Sequence, residues 1–363
     1  MSPEDNSPLF KSKYAKARGN FLAAASENAT LVKSWQNPLR GIAGEKLYLD
    51  LAWFGSLEAK KVLLLISGTH GVEGYCGSGI QVGSIKTGWQ LQADKDIAIA
   101  MIHGLNPHGM SYFRRVNEDG IDLNRNFIDF QQPLPKNSFY EDLADVIVPQ
   151  EWTEATPAET LARITEYIER SPSGVADLAR GQYSHWYAPF YGGEVPTWSN
   201  RISNQICDRY LQNKQAVGLL DYHTGLGRYA TGQLMSLPTH NEAEHLARQI
   251  WGDKLVIAGS EQSVAAYTPQ GTLIAALQNK LASIPCIAAA YEFGTRSEPE
   301  VFNALCADHW LHAYGDLDTQ QAIEIKRNML QAFYSDSADW QKTVCDLAFA
   351  AQDELLTGLR SLI

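Results

Sequence analysis

Short, nearly unbroken apolar runs recur along the chain, and segments of helical period separate them. KLYLDLAWFG at 46–55 and KKVLLLIS at 60–67 read as strands, the second more deeply buried. KYAKARGNFLAAASENA predicts a helix from about Lys13, and the stretch from Gly74 to about Lys86 can form another. DIAIAMIHGLNP at 96–107 is the next strong strand, closed by Asn106 and Pro107. Further on, AVGLLDYHTGLG, DKLVIAG and PCIAAAYEFGT repeat the strand pattern. EAEHLARQIWG, GTLIAALQNKL and PEVFNALCADHWLHAYG carry helical periodicity between and after them.

Strand–helix alternation of this kind predicts an α/β fold. The expected core is a mixed, mostly parallel central sheet with helices on both faces. Residues 1–14 read as a tail, and 15–320 as one catalytic unit. The region 131–210 reads as an irregular insertion, despite a credible amphipathic helix in PAETLARITEYIERS and an aromatic, turn-rich stretch at 185–200. Residues 321–363 read as a helical extension packed on the same unit. No internal repeat or heptad array is visible.

Composition narrows the function. The formal net charge of -11 and the lack of a long Lys/Arg run argue against nucleic acid. Five scattered cysteines without a CxxC argue against a disulfide framework or a cysteine zinc knot. The amino-terminal stretch has no apolar signal core, and no run approaches a membrane span. The expectation is a cytoplasmic protein with no membrane partner; oligomeric state is not legible.

Three of the apolar strands end in polar groups: His70 and Glu73, Asp221 and His223, and Glu292. Sites in open α/β folds form beyond the carboxyl ends of strands, so these residues can converge. The three-residue spacing lets His70 and Glu73 face one side of a tight turn. With His223 they would make a His/Glu/His set that leaves zinc one open position. Asp221 can orient a catalytic group or close a loop hydrogen bond. A carboxylate on a buried strand end needs a reason, and general-base chemistry on metal-activated water gives Glu292 one. In GIDLNRNF, Asn124 and Arg125 offer an amide and a planar donor fork suited to a carboxylate. Arg114 or Arg115, just upstream, could stabilise an oxyanion. The glycines of 68–79 lack GxxxxGK[ST] and a clean GxGxxG, and no GxSxG surrounds Ser67 or Ser78. A phosphate loop and a serine hydrolase are therefore disfavoured.

ISGTHGVEG, HGLNPHG, GIDLNRNF and LDYHTG together resemble the zinc carboxypeptidase superfamily, including its succinylglutamate desuccinylase and aspartoacylase-like branch. The likeness is nearer to an uncharacterised bacterial group of predicted metallopeptidases in that superfamily, and strongest over 60–130 and 215–295. The resemblance implies a zinc carboxypeptidase-like fold with one zinc ion on His70, Glu73 and His223. It implies Glu292 as base and acid, and Asn124 and Arg125 as carboxylate binders. Arg115, nine residues before the asparagine, matches the oxyanion arginine, with Arg114 the alternative. Tyr267 resembles the mobile tyrosine that closes over substrate, and Ile274 falls where a side-chain-pocket residue stands. The implied substrate is a peptide or N-acyl amino acid with a free carboxylate. Two departures stand out: the third histidine sits in DYHTG, unlike the serine-containing setting of digestive carboxypeptidases, and the loop after Phe130 shows no familiar specificity element. The implied reaction is carboxypeptidase-like amide hydrolysis. An N-acyl amino acid deacylase and a nonenzymatic zinc-containing binding protein are the alternatives.

Overall fold

The computed structural model describes residues 7–171, 173–237 and 241–362. Helix α1 (Tyr14–Ala25) leads into strands β1 (Leu31–Arg40), β2 (Lys46–Phe54) and β3 (Lys61–Ser67). Helix α2 (Gly74–Lys86), strand β4 (Ile97–His103) and the short helix α3 (Pro107–Ser111) follow. Four helices occupy the next stretch: α4 (Ser138–Ile147), α5 (Thr156–Arg170), α6 (Gly174–Ala179) and α7 (Trp198–Ile206). Strands β5 (Ala216–Thr224), β6 (Gly232–Ser236), β7 (Leu255–Ile257) and β8 (Cys286–Phe293) complete the sheet, with helix α8 (Asn241–Trp251) before β7 and helix α9 (Leu273–Lys280) before β8. Helices α10 (Glu298–Ala313), α11 (Gln320–Phe333) and α12 (Ala338–Ser361) close the described chain.

The sheet order is β1-β2-β4-β3-β5-β8-β6-β7. Its centre, β4-β3-β5-β8, is parallel throughout, and antiparallel pairs β1/β2, β2/β4 and β6/β8 flank it. The apolar run in β3 serves both faces. Leu63 and Leu65 join the core beneath α2 and α12, whereas Val62, Leu64 and Ile66 join the core with residues of α7 and α9. A strand covered on both sides has no polar face to show, so its sequence reads as a continuous apolar block. From β3 the chain crosses to β4 on one side and later returns to β5 on the other. That reversal opens a crevice at the carboxyl ends of β3 and β5, the place where such sheets bind ligands.

The amino-terminal segment, the 131–210 region and strand β1 depart from the sequence expectations. Of the tail expected over 1–14, residues 1–6 lie outside the described residues, but residues 7–14 are not loose. Phe10 is buried against Gly79 of α2, and the Tyr14 hydroxyl donates to the Tyr48 carbonyl and accepts from the Tyr48 amide. The region 131–210 is largely helical, because α4, α5 and α7 each present an apolar stripe to a neighbour. Strand β1 escapes the sequence reading because it lies at the sheet edge, with few positions fully buried. The carboxy-terminal helices are core elements: Trp340, Val344, Leu355 and Leu359 of α12 belong to the main apolar cluster.

Helices α10 and α11 also hold a buried ion cluster. Asp308 receives Arg114 Nε at 2.9 Å and Lys326 Nζ at 2.5 Å. Burial pushes the Asp308 carboxyl up, but Lys326 and Arg114 outweigh it and hold it well below the usual carboxylate range. Burial lowers Lys326 to about 8. Removing the anion leaves two buried cations without their partner, so Asp308→Ala should cost about 3–5 kcal/mol. Urea denaturation at pH 7 checks this value. A depressed carboxylate stabilises above its unfolded pKa, near 4, and that share is lost as pH falls through the folded value. Wild-type stability should therefore fall more steeply below about pH 4 than that of the variant.

Candidate active site

Four segments meet at the crevice. After β3, Gly68 takes a φ of +76°, which turns the chain sharply. Gly71 packs on the backbone of Gly109 and Met110 with no room for a Cβ. The Gly71 amide donates to the Arg115 carbonyl at 3.0 Å and the Val72 amide to the Arg114 carbonyl at 2.9 Å. Held this way, His70 and Glu73 project together just before α2. His223 lies at the end of β5, beside Glu292 of β8 in parallel register.

His70, Glu73 and His223 each offer a donor atom, all within 4.8 Å of one another, and all three residues are buried. His70 Nδ1 lies 2.9 Å from Glu73 Oε1, and His223 Nδ1 lies 3.1 Å from Glu73 Oε2. The two Nδ1 atoms are 3.1 Å apart. On the far side of each ring a carboxylate accepts from Nε2: Asp122 at 3.1 Å for His70 and Asp221 at 2.9 Å for His223. A carboxylate on Nε2 fixes that nitrogen as a donor, so a neutral ring turns its lone pair at Nδ1 toward the shared point. Two lone pairs and a carboxylate facing one point call for a cation. The donor set and its backing carboxylates fit one zinc ion.

The same crevice is lined by Glu292, Arg115, Asn124, Arg125 and Tyr267. Arg115 donates from Nη1 to Glu73 at 2.8 Å and from Nε to Asp122 at 3.0 Å. Arg125 donates to the carbonyls of Asn124 and Ala179, while its buried Nε has no partner. Its guanidinium carbon stands 6.0 Å from the Tyr267 ring centroid. The Asn124 Oδ1 accepts from the Leu273 amide at 3.0 Å, which turns its NH₂ away from that helix end.

Residues 10–346 match a family described as "Protein of unknown function (DUF2817)". The chain belongs to the DUF2817 family. No curated protein matches it. Among solved structures, this DUF2817 chain is similar to bovine thrombin-activatable fibrinolysis inhibitor, crystallised with tick carboxypeptidase inhibitor, at 12% identity and a TM-score of 0.51, over 98% of this chain and 99% of that one. A second structure of thrombin-activatable fibrinolysis inhibitor gives 11% identity and a TM-score of 0.53, over 99% and 79% of the two chains. Carboxypeptidase A from Helicoverpa armigera gives 13% identity and a TM-score of 0.46, over 90% and 74%. At these identities the first two likenesses show the fold alone, a mixed, mostly parallel sheet flanked by helices.

Within the DUF2817 chain, two expected site residues stand apart from the crevice. Arg114 turns away to Asp308, so Arg115 is the one of the pair that faces the crevice. Ile274 packs into the apolar cluster with Leu273 and Leu277; Thr272, the α9 N-cap, lines the crevice instead. Helix geometry explains the difference: two residues along a first turn rotate the side chain to the core face. Asp122 is the residue that sequence reasoning undervalued. It orients His70 and Arg115 together. Its place two residues before Asn124 in DLNR was the available signal.

Charge is finely divided here. Burial opposes the charge on Glu73, but His70, His223 and Arg115 hold its carboxyl far below the usual range. Burial and the nearby Glu73 carboxylate raise Glu292 to about 7. Among the described residues, no helix is long and apolar enough to cross a membrane.

Purified protein should bind one zinc per chain by elemental analysis. Zinc at 100 times its dissociation constant should add about 2.7 kcal/mol to unfolding stability, and chelation should remove it. Asp221→Asn should weaken zinc binding about 10- to 100-fold, read by competition with a chromophoric chelator. Unchanged affinity would show that Asp221 does not support His223 as a ligand.

Proposed function

We propose that the chain is a zinc-dependent hydrolase that cleaves an amide bond next to a free carboxylate, in the manner of a carboxypeptidase. One observation carries this reading: a single crevice gathers the metal donors, a buried carboxyl with a raised pKa, and two arginines of different surroundings. Zinc in this site supplies Lewis acidity, polarising a carbonyl and making water more acidic. The remaining work falls to the chain. Arg125, with its unpartnered Nε, and the Asn124 amide bind the substrate carboxylate. That contact sets the scissile carbonyl between Arg115 and Glu292. Glu292 takes the proton of the attacking water and passes it to the leaving amine. The Leu226 amide donates to Glu292 Oε1 at 3.0 Å and aims its carboxyl. Arg115, held in plane by Asp122, stabilises charge on the carbonyl oxygen. Tyr267, over Arg125, closes on bound substrate. A cytoplasmic setting belongs to the same reading, supported by five free, buried cysteines.

The test uses peptides with a free carboxyl terminus. Glu292→Gln should lower kcat about 10²- to 10⁴-fold while zinc content stays at one per chain. Full activity in that variant would reject Glu292 as the base. Arg125→Ala removes a charged hydrogen-bond donor, so kcat/KM should fall by about 1.5–3 kcal/mol, roughly 10- to 150-fold. A blocked, carboxamide-ended peptide should lose a similar factor on the wild-type enzyme and little on Arg125→Ala. An equal loss on both would separate Arg125 from the carboxylate.

A further inference from the structure

The crevice has walls that the reaction above does not use. Met235 of β6 pairs across the sheet with Ala290 of β8, which stands two residues before Glu292 and so on the same face. Ala258 and Ala265 continue that wall, and all four residues line the crevice. A second wall comes from Val301 and Leu305 of α10 and Phe333 of α11. It closes over Gly225, where a Cβ would meet Phe333 and Val301. Both walls are apolar.

The charges are as informative. Among the described residues, the cations lining the crevice, apart from the two histidines, are Arg115 and Arg125. Arg115 is already paired with Glu73 and Asp122. Arg125 is hydrogen-bonded to carbonyl oxygens rather than to a carboxylate, and it keeps a buried, unpartnered Nε. Glu292 adds a carboxyl neighbour rather than a cation. With the scissile carbonyl at the metal site, a substrate's first carboxylate finds a partner in Arg125, and a second, carried on a side chain or acyl group, would be buried against an apolar wall without one.

Resting on the hydrolase reading, we propose that the substrate carries one carboxylate and apolar groups on both sides of the scissile amide. Met235, Ala258, Ala265 and Ala290 receive the side chain next to that carboxylate. Dicarboxylic products such as glutamate or aspartate, and succinyl acyl groups, are disfavoured because, among the described residues, these walls carry no second cation.

Binding tests this without turnover. Isothermal titration of the zinc-loaded Glu292→Gln variant compares benzoylglycyl-phenylalanine, benzoylglycyl-glutamate and benzoylglycyl-lysine, each of which keeps its amide carbonyl for the metal. The first should bind at least tenfold more tightly than either of the others. Equal or tighter binding of benzoylglycyl-glutamate or benzoylglycyl-lysine overturns the proposal. In the same background Ala265→Leu narrows the wall and should cost benzoylglycyl-phenylalanine at least tenfold; if that variant does not fold, Met235→Ala should cost at least threefold. Unchanged affinity in a folded variant overturns the assignment of these residues. Turnover then separates the two readings. If neither benzoylglycyl-phenylalanine nor benzoylglycyl-glutamate is cleaved while the binding order holds, the hydrolase reading fails and the one-carboxylate site stands. If N-succinylglutamate is cleaved faster than benzoylglycyl-phenylalanine, the hydrolase reading stands and this inference fails.

Discussion

Two imidazole nitrogens held 3.1 Å apart, each ring backed by a carboxylate, set the terms for everything around them. The arrangement is unfavourable unless something positive lies between the rings. It therefore has to be enforced from outside. Asp221 is fixed by Thr69, whose hydroxyl lies 2.9 Å from both carboxylate oxygens. Asp122 is fixed by Arg115 and by the Asn124 amide. Each histidine is thus gripped through its carboxylate by a residue from another segment. The cost of this convergence is spread over β3, β5 and the 114–125 loop, and a cation returns it on binding.

Sheet topology makes the convergence possible. The parallel centre places the ends of β3, β5 and β8 side by side, and register sets His223 beside Glu292. This much was legible, because a strand buried on both faces announces itself as an apolar block and its polar exit marks the carboxyl end. His70 and Glu73 were legible because their geometry is local to one turn. Residues whose role depends on which way a side chain turns were not. Arg114 and Arg115 are adjacent and chemically identical, and only packing sends one to Asp308 and the other to Glu73. Ile274 was misplaced for the same reason, since two steps along a helix separate the crevice from the core. Phe10 and strand β1 were missed because edge and terminal segments carry little periodicity of their own.

The electrostatics of the crevice run against those of the whole chain. A formal net charge of -11 would repel an anionic substrate at long range, although screening limits that field to about 8 Å at physiological salt. Inside that distance local charges decide. Glu73 and Asp122 neutralise Arg115, and Glu292 adds to the negative side. Arg125 is left with neutral carbonyls as hydrogen-bond partners and two aromatic rings, Phe190 and Tyr267, about its guanidinium. A desolvated guanidinium surrounded by dipoles and π faces keeps its attraction for a carboxylate, because no fixed anion has consumed it.

The twin arginines also join the metal loop to the rest of the molecule. Their carbonyls accept the Gly71 and Val72 amides, so the backbone at 114–115 sets the position of His70 and Glu73. Phe113, immediately before them, takes a φ of 53°, a left-handed conformation disfavoured for an aromatic residue. Something must hold it there. Arg114 is anchored by Asp308, and Asp308 by Lys326 across α10 and α11. That buried ion cluster costs more in desolvation than an apolar packing would, as the lowered Lys326 shows. Its position explains why the fold tolerates it: one side chain pulled outward fixes the strained turn, and the next is thereby delivered inward to Glu73. The crevice and the outer helices are in this way parts of one mechanical unit.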